Sequence, residues 1–164
     1  VEAMNLQDSS SISVVRLVNT YGPHDNFGDD ALVIPALIKR LAATPRITLD
    51  GADNQRDFLY VDDAARGIVA ALESPTAGTW NLGTGVGETV FDVACHVGDA
   101  MYGTGPNWKV TVNDATRRSG GASRKVVDPS KALRALGWKA QVSLAEGIKK
   151  TVEWYESSLA RVTK

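Results

Sequence analysis

Apolar residues occur along this chain in two kinds of short run, and each kind predicts a different element. Residues 12–18 are β-branched and nearly continuous in apolar character, which is typical of a strand buried on both faces in a parallel sheet. Residues 33–41 instead place apolar side chains at helical spacing, with Pro35 tolerable near the first turn of the helix. Strands and helices of these kinds follow one another along the chain, which favours an α/β fold.

A strand followed directly by a helix is predicted in the middle of the chain. Residues 58–61 form a short apolar strand, and a helix is predicted over residues 63–73. Asp62 or Asp63 suits the N-cap, since a carboxylate accepts the backbone N–H groups that the first turn leaves unpaired. The apolar positions at helical spacing, which predict the buried face of this helix, are Ala65, Ile68, Val69 and Leu72.

Capping residues mark the helices of the second half. Residues 79–82 predict another sheet strand, and Thr89 is the predicted cap of the helix that follows. A later helix is expected to stop at Gly137. Ser143 and Glu146 have the spacing of a capping box, which predicts the start of a last amphipathic helix. No repeat or linker interrupts this pattern.

Composition limits the possible functions. The 164 residues are expected to form a single α/β unit over residues 1–164, with 18 basic and 19 acidic side chains and a net charge of −1. This balance gives no electrostatic argument for a nucleic-acid partner or a membrane surface. The lone Cys95 excludes an internal disulfide and is interpreted as a core thiol. With no apolar run near the ~18–20 residues of a membrane span, we expect a cytoplasmic protein.

Two motifs of cofactor chemistry are incomplete in this sequence. Gly83, Gly85 and Gly87 follow a strand, but the dinucleotide fingerprint needs its third glycine where Glu88 stands, so a tight turn is the favoured interpretation. No tyrosine has a lysine four positions later, so the pair that would supply an acid or base for hydride chemistry is absent. We therefore predict no catalytic residue in this chain. His24 has no second histidine at ligand spacing, and no metal site is predicted.

Residues suited to anions remain at loop positions. Asn19 follows a strand, Arg56 precedes one, and Arg117, Arg118 and Arg124 share a loop. Arginine suits phosphate because its planar fork donates two parallel hydrogen bonds. Each of these residues taken alone is more simply explained by a surface contact.

Taken in order, several segments resemble the second half of the extended short-chain dehydrogenase/reductase family, the NAD-dependent nucleotide-sugar epimerases and dehydratases. The resemblance covers essentially the whole chain. The matching segments are residues 16–23, 33–38, 56–63, 81–85, 118–128, 130–132, 136–138 and 144–155.

The resemblance implies a fold and a set of site residues. The fold would be the last strands of a Rossmann-type sheet plus a small α/β substrate-binding domain, and the parent enzyme would use NAD or NADP that this chain alone does not bind. Leu17 and Val18 would pass near the nicotinamide. The residues implied to bind a nucleotide-sugar substrate are Asn19 at the diphosphate or sugar, Leu32 and Val33 along the base, and Arg56 and Arg118 at the phosphates.

The sequence also departs from the family pattern. Many members have an aspartate three residues after the loop arginine to hold the ribose, and here that position is Gly121. The missing cofactor loop and tyrosine–lysine pair indicate a fragment that holds the substrate-binding portion. The alternative is a stand-alone binding or assembly module without catalysis. An open strand edge at residues 12–18 predicts a homodimer or pairing with the missing N-terminal half.

Overall fold

The computed structural model describes residues 12–116 and 122–162 of the chain. The helices are α1 (Val33–Ala43), α2 (Val61–Glu73), α3 (Val90–Tyr102), α4 (Ser130–Leu136) and α5 (Leu144–Val162). The strands are β1 (Val14–Leu17), β2 (Asn19–Tyr21), β3 (Arg46–Leu49), β4 (Gln55–Arg56), β5 (Phe58–Tyr60), β6 (Thr79–Leu82), β7 (Glu88–Thr89), β8 (Lys109–Val112) and β9 (Arg124–Lys125). The α/β class predicted from the sequence is therefore confirmed.

Parallel pairing dominates the strands. β1 pairs with β6, β2 with β5, and β3 with β8, all parallel, whereas β4 lies between antiparallel β7 and parallel β9. Only Val18 separates β1 from β2, so one chain segment pairs first with β6 and then with β5. The register places Asn19 opposite Phe58. Asn19 begins β2 just beyond the carboxyl ends of the parallel pair β1 and β6, and such strand ends are where α/β folds place ligand sites.

Two apolar clusters hold the elements together. The first joins α1, α3 and α5 through side chains such as Ile38, Val97 and Ile148, all fully buried. The second surrounds Trp80 and Leu82 of β6. Each fully buried aliphatic side chain stabilises the fold by roughly 1.5–3 kcal/mol relative to exposure, so these clusters fix the strand ends that the site uses.

The predicted burial of residues 12–18 on both faces is wrong for the described residues. Val14 is 43% exposed and Leu17 is 46% exposed. Within residues 12–116 and 122–162, β1 pairs with β6 alone, so its second edge has no strand beside it there. Only part of the apolar side-chain surface of β1 is therefore buried in the described core.

The predicted buried face of α2 is also wrong. The residues that α2 buries are small, and Gly67 lies so close to β6 that an added Cβ would stand 2.4 Å from Leu82 Cδ1 and 2.9 Å from the Trp138 ring. This close approach leaves no room for large side chains on that face. The residues that we predicted to be buried, and that the structure exposes, are Ala65, Ile68, Val69 and Leu72.

The predicted N-cap of α2 is wrong as well. The helix begins at Val61, its cap position is Tyr60, and no side chain caps it. Asp63 is instead fully buried: its Oδ2 accepts the backbone N–H groups of Gln141 at 3.0 Å and Val142 at 2.9 Å. The carboxylate thus anchors the segment that leads into α5, a long-range contact that local capping rules do not consider.

Other caps follow the prediction. The Thr89 hydroxyl accepts the backbone N–H three residues later at 3.0 Å, and α4 ends at Gly137 with a φ of 64°. The Ser143 hydroxyl accepts the Glu146 N–H at 3.3 Å, which is half of a capping box. The Glu146 carboxylate pairs at 2.7 Å with Lys150.

Candidate functional site

Asp57 is the centre of the candidate site. Its buried carboxylate accepts the Thr84 N–H at 2.9 Å and hydroxyl at 2.6 Å through Oδ1, and the Gly85 N–H at 3.0 Å through Oδ2. Its backbone N–H donates to the Lys125 carbonyl at 3.1 Å, and its carbonyl accepts Asn19 Nδ2 at 3.0 Å. One residue therefore connects the start of β2, the β4–β5 junction, the loop after β6, and β9.

This junction brings together two residues implied to contact substrate. Asn19 lies opposite Phe58, two positions beyond Arg56. The half-buried Arg56 donates from Nη1 to the carbonyls of Gln55 at 2.8 Å and Ala122 at 2.9 Å. These bonds fix the guanidinium near the strand ends, in a position suited to an anion.

The two residues implied to lie along a base are at the start of α1. Leu32 precedes the helix and Val33 is its first residue, with exposures of 57% and 37%. Both line a cavity of about 30 Å³ together with Asn19, Asp25 and other residues. The structure therefore joins the apolar pair to the Asp57 junction through Asn19.

The two residues implied to pass near a nicotinamide directly precede Asn19. Leu17 is nearly half exposed, whereas Val18 is partly buried and donates its N–H to the Leu82 carbonyl at 3.4 Å. Their position at the end of β1 places them beside the carboxyl end of β6. The cofactor contact remains a prediction.

Part of the arginine loop lies outside the described residues. Arg118 and Gly121 both fall there, so the implied phosphate contact of Arg118 and the doubtful ribose position remain predictions. Of the described part, Arg124 donates from Nη1 to Gln55 Oε1 at 2.5 Å. Arg124 thus lies against β4, next to Arg56 in the sheet.

The glycine-rich loop after β6 does not fit a cofactor pyrophosphate. The Thr84 and Gly85 N–H groups, which a phosphate would need, already donate to the Asp57 carboxylate. A Cβ at Gly83 would stand 2.7 Å from Asp57 Oδ2 and 2.4 Å from Val127 Cγ2, so glycine is needed there for internal packing. The loop is a turn built around Asp57.

Two tyrosines near the site are poor bases. Burial is the main cause that raises the pKa of Tyr21, with the neighbouring Tyr60 adding to it. Burial also raises the pKa of Tyr60, and the Asp62 carboxylate acts in the same direction. Both phenols are therefore protonated near neutral pH, and the Tyr21 hydroxyl donates to the Leu144 carbonyl at 3.3 Å.

Other kinds of site find little support in the described residues. No group of three or more histidine, cysteine or acidic side chains there could hold a metal ion. Across residues 12–116 and 122–162, each helix is too short or too polar to cross a bilayer. Burial raises the pKa of the half-buried Cys95 thiol, which disfavours the nucleophilic thiolate.

Comparisons with known proteins identify the family. The family model described as GDP-mannose 4,6 dehydratase matches residues 2–151. The dTDP-L-rhamnose 4-epimerase of Burkholderia thailandensis is 32% identical over 165 residues, which cover 98% of this chain. The chain belongs to the NAD-dependent epimerase/dehydratase family. It spans only 44% of that relative, so it corresponds to less than half of the enzyme that it resembles.

Solved structures give the same family. The UDP-glucose 4-epimerase of Thermotoga maritima, in a structure with UDP-glucose, has a TM-score of 0.70 and 31% identity, covering 90% of this chain and 46% of the epimerase. The UDP-glucose 4-epimerase of Thermus thermophilus, in a complex with NAD, has a TM-score of 0.71 and 31% identity, covering 88% and 46%. The family resemblance stated from sequence motifs is therefore confirmed.

Asp57 is the site residue that sequence reasoning missed. A signal existed for it, because a carboxylate directly before the apolar segment 58–61 must be buried with it and needs donors.

Proposed function

We propose that this chain is the substrate-binding portion of an NAD(P)-dependent nucleotide-sugar epimerase or dehydratase. The observation that supports it is the junction at Asp57, which ties Asn19, just beyond the carboxyl end of β1, to Arg56 at the end of β4. The exposed apolar pair Leu32 and Val33 lines a cavity that includes Asn19. The Arg56 guanidinium suits the phosphates of a nucleotide sugar, and the Asn19 amide suits its sugar. The apolar side chains of Leu32 and Val33 suit its base.

Each residue then has a chemical role. Arg56 and Arg118 donate to phosphate oxygens, Asn19 contacts the diphosphate or the sugar, and Leu32 and Val33 lie along the base. Two arginines would neutralise the charge of a diphosphate. The bonds of Arg56 to backbone carbonyls keep its orientation before the ligand arrives, which lowers the entropy cost of binding.

The cofactor belongs to the remaining part of the parent enzyme in this proposal. The structure of the Thermus thermophilus epimerase holds NAD, but the backbone N–H groups of Thr84 and Gly85 in this chain already donate to Asp57. Leu17 and Val18 line the cofactor site only where it adjoins the nicotinamide. NAD(P), when bound, accepts and returns a hydride; this chain supplies substrate binding and no acid or base. Purified alone, it is expected to bind nucleotide sugars weakly and to turn none over.

Calorimetric titration tests the proposal. GDP-mannose, UDP-glucose and dTDP-glucose are titrated separately into the purified chain, and at least one should bind. Arg56→Ala should weaken that binding at least tenfold, the usual effect of losing a hydrogen-bonded charge. Arg46→Ala, which removes an exposed arginine at the start of β3, is the matched control and should leave the affinity unchanged. Absence of binding by all three sugars, or turnover by the chain alone, would contradict the proposal.

A second candidate, a stand-alone assembly module, is favoured by the exposed apolar surface of β1 and α2. A groove of about 200 Å³ runs between these elements and is lined by Val15, Ile68, Leu72 and neighbouring small residues. Such a surface pairs with a second protein unit, either the N-terminal half or another copy. A strictly monomeric sedimentation profile at high concentration would count against pairing between copies, and Leu72→Lys should weaken any dimer.

A further inference from the structure

The turn after β2 contains a strained residue. His24 has a left-handed backbone conformation, with a φ of 66°, and among the described residues it is the one non-glycine residue that does. The Asp25 N–H donates to the Gly22 carbonyl at 3.3 Å and closes the turn. Histidine tolerates this conformation better than most residues, but it still costs free energy and persists only where surrounding contacts over-determine it. Such strain collects at functional sites, which makes the contacts that hold His24 informative.

The contacts that hold the turn come from α5. The His24 ring packs on the Trp154 ring at a centroid distance of 4.8 Å. Phe27, later in the same loop, contacts Trp154 at 5.8 Å and stacks on Tyr155 at 4.6 Å. Phe27 and Tyr155 in turn pack against the first apolar cluster. Two rings of the loop thus rest on two rings of α5, and this contact attaches the loop to the core.

The hydrogen bonds of residues 22–31 hold the loop together but hardly attach it to the rest of the fold. The Asn26 N–H donates to Asp25 Oδ1 at 2.7 Å, and the Gly28 N–H donates to Asn26 Oδ1 at 2.8 Å. Among the residues that the structure describes, one side-chain donor reaches this loop from outside: Lys39 Nζ, at 3.2 Å from the Gly28 carbonyl. The position of the loop therefore depends mainly on its aromatic contacts with α5.

The loop leads directly into the apolar pair proposed to lie along the base. Leu32 is the cap position of α1 and Val33 is its first residue, and both line the cavity of about 30 Å³ with Asp25 of the loop. In the part of the chain that the structure describes, no side chain caps this helix start. The direction in which the chain enters α1, and with it the position of the exposed Leu32, is therefore set by the loop.

We propose that His24 and Trp154 are positioning residues for nucleotide binding: their contact holds the loop, and through it Leu32, in the conformation that receives the base. This role rests on the proposed function, to which it adds two residues that need not touch the ligand. A protein whose binding-competent conformation is only partly populated binds with an affinity reduced by that fraction. An aromatic contact changes an equilibrium constant about two- to tenfold, which sets the size of the expected loss. Because the loop positions an apolar wall, the loss should be similar for any base.

His24→Asn tests the contact because asparagine also tolerates the left-handed conformation, so the turn is kept while the ring is lost. Calorimetric titration with GDP-mannose, UDP-glucose and dTDP-glucose should show a loss of affinity of about three- to tenfold for each sugar that binds the wild type. Without ligand, amide hydrogen exchange over residues 22–31 should become faster. Trp154→Leu should have the same effects, whereas Trp154→Phe, which keeps an aromatic ring, should retain most of the affinity. Glu156→Gln, an exposed position of α5, is the matched control and should change neither quantity.

The double variant separates positioning from a general loss of stability. His24→Asn combined with Trp154→Leu should bind no more weakly than Trp154→Leu alone, because both changes remove the same contact. Urea unfolding of each variant measures stability separately from affinity. Unchanged affinity in both single variants, or losses that simply add in the double variant, would overturn the positioning role while leaving the proposed function intact. No binding of any nucleotide sugar by the wild type would overturn both.

Discussion

Replacement of Asp57 by asparagine should destabilise the fold strongly for a change of such similar shape. The carboxylate is fully buried and accepts three hydrogen bonds from the loop after β6, two through Oδ1 and one through Oδ2. Asparagine keeps one acceptor oxygen. Whichever way its amide turns, the nitrogen meets a backbone N–H of Thr84 or Gly85, so a donor faces a donor.

The magnitude follows from these bonds. Facing Oδ1 with its oxygen, asparagine loses the Gly85 bond and keeps two bonds that are no longer charge-assisted. Losing a hydrogen bond to a charged acceptor costs about 1.5–3 kcal/mol, and a buried N–H left unpaired adds about 1 kcal/mol. We therefore expect the free energy of unfolding to fall by about 3 kcal/mol, a large fraction of the ~5–15 kcal/mol typical of a domain.

Urea unfolding followed by circular dichroism measures this loss. Asp62→Asn is the matched control: Asp62 is an exposed carboxylate on α2, and its replacement should change the unfolding free energy by less than about 0.5 kcal/mol. An equal slope against urea for wild type and Asp57→Asn would show that the denatured state is unchanged. A loss below about 1 kcal/mol for Asp57→Asn would refute the assignment of Asp57 as the residue that holds the site together.

Three further predictions concern packing and ionisation. Gly67→Ala should lower the unfolding free energy by about 1–3 kcal/mol, because the new methyl group clashes with Leu82 and Trp138; urea unfolding that matches wild type would contradict this. Cys95 should react with iodoacetamide more slowly than in the urea-unfolded chain, since burial raises its thiol pKa; equal rates would contradict it. Because the pKa of Tyr21 is raised in the folded chain, its neutral phenol stabilises the fold at pH values below the ordinary tyrosine pKa, and this stabilisation is lost as the pH rises further. The phenolate absorbance of Tyr21 should therefore appear only when the chain unfolds. The prediction would be contradicted if all four tyrosines formed phenolates at their ordinary pKa while the chain stayed folded.

Element type and several of the helix caps are predictable from this sequence because they depend on local interactions. Thr89 and Gly137 act within one turn of their own helices, and both predictions are confirmed. The buried face of α2 is not predictable in this way. Periodicity finds the large apolar residues, but Gly67 decides which side approaches the sheet, and a close approach is invisible in a hydropathy pattern.

Long-range partners explain the remaining differences. Asp63 has the local character of an N-cap, yet its partners Gln141 and Val142 stand about 80 residues later. Within the site, Asn19 and Arg56 came from the family motifs, whereas Asp57 acts through the backbone donors of a distant loop. Such roles require knowledge of which backbone groups are nearby, and the sequence alone does not provide it.

The most direct test of the account is to map nucleotide-sugar binding on the chain by NMR. Amide chemical shifts of the labelled protein are followed during titration with GDP-mannose, and separately with UDP-glucose. The changes should concentrate at Asn19, Leu32, Val33 and Arg56 with each nucleotide sugar that binds. Changes confined to α3 and β8, or no change with either sugar at millimolar concentration, would contradict the assignment of this junction as the substrate site.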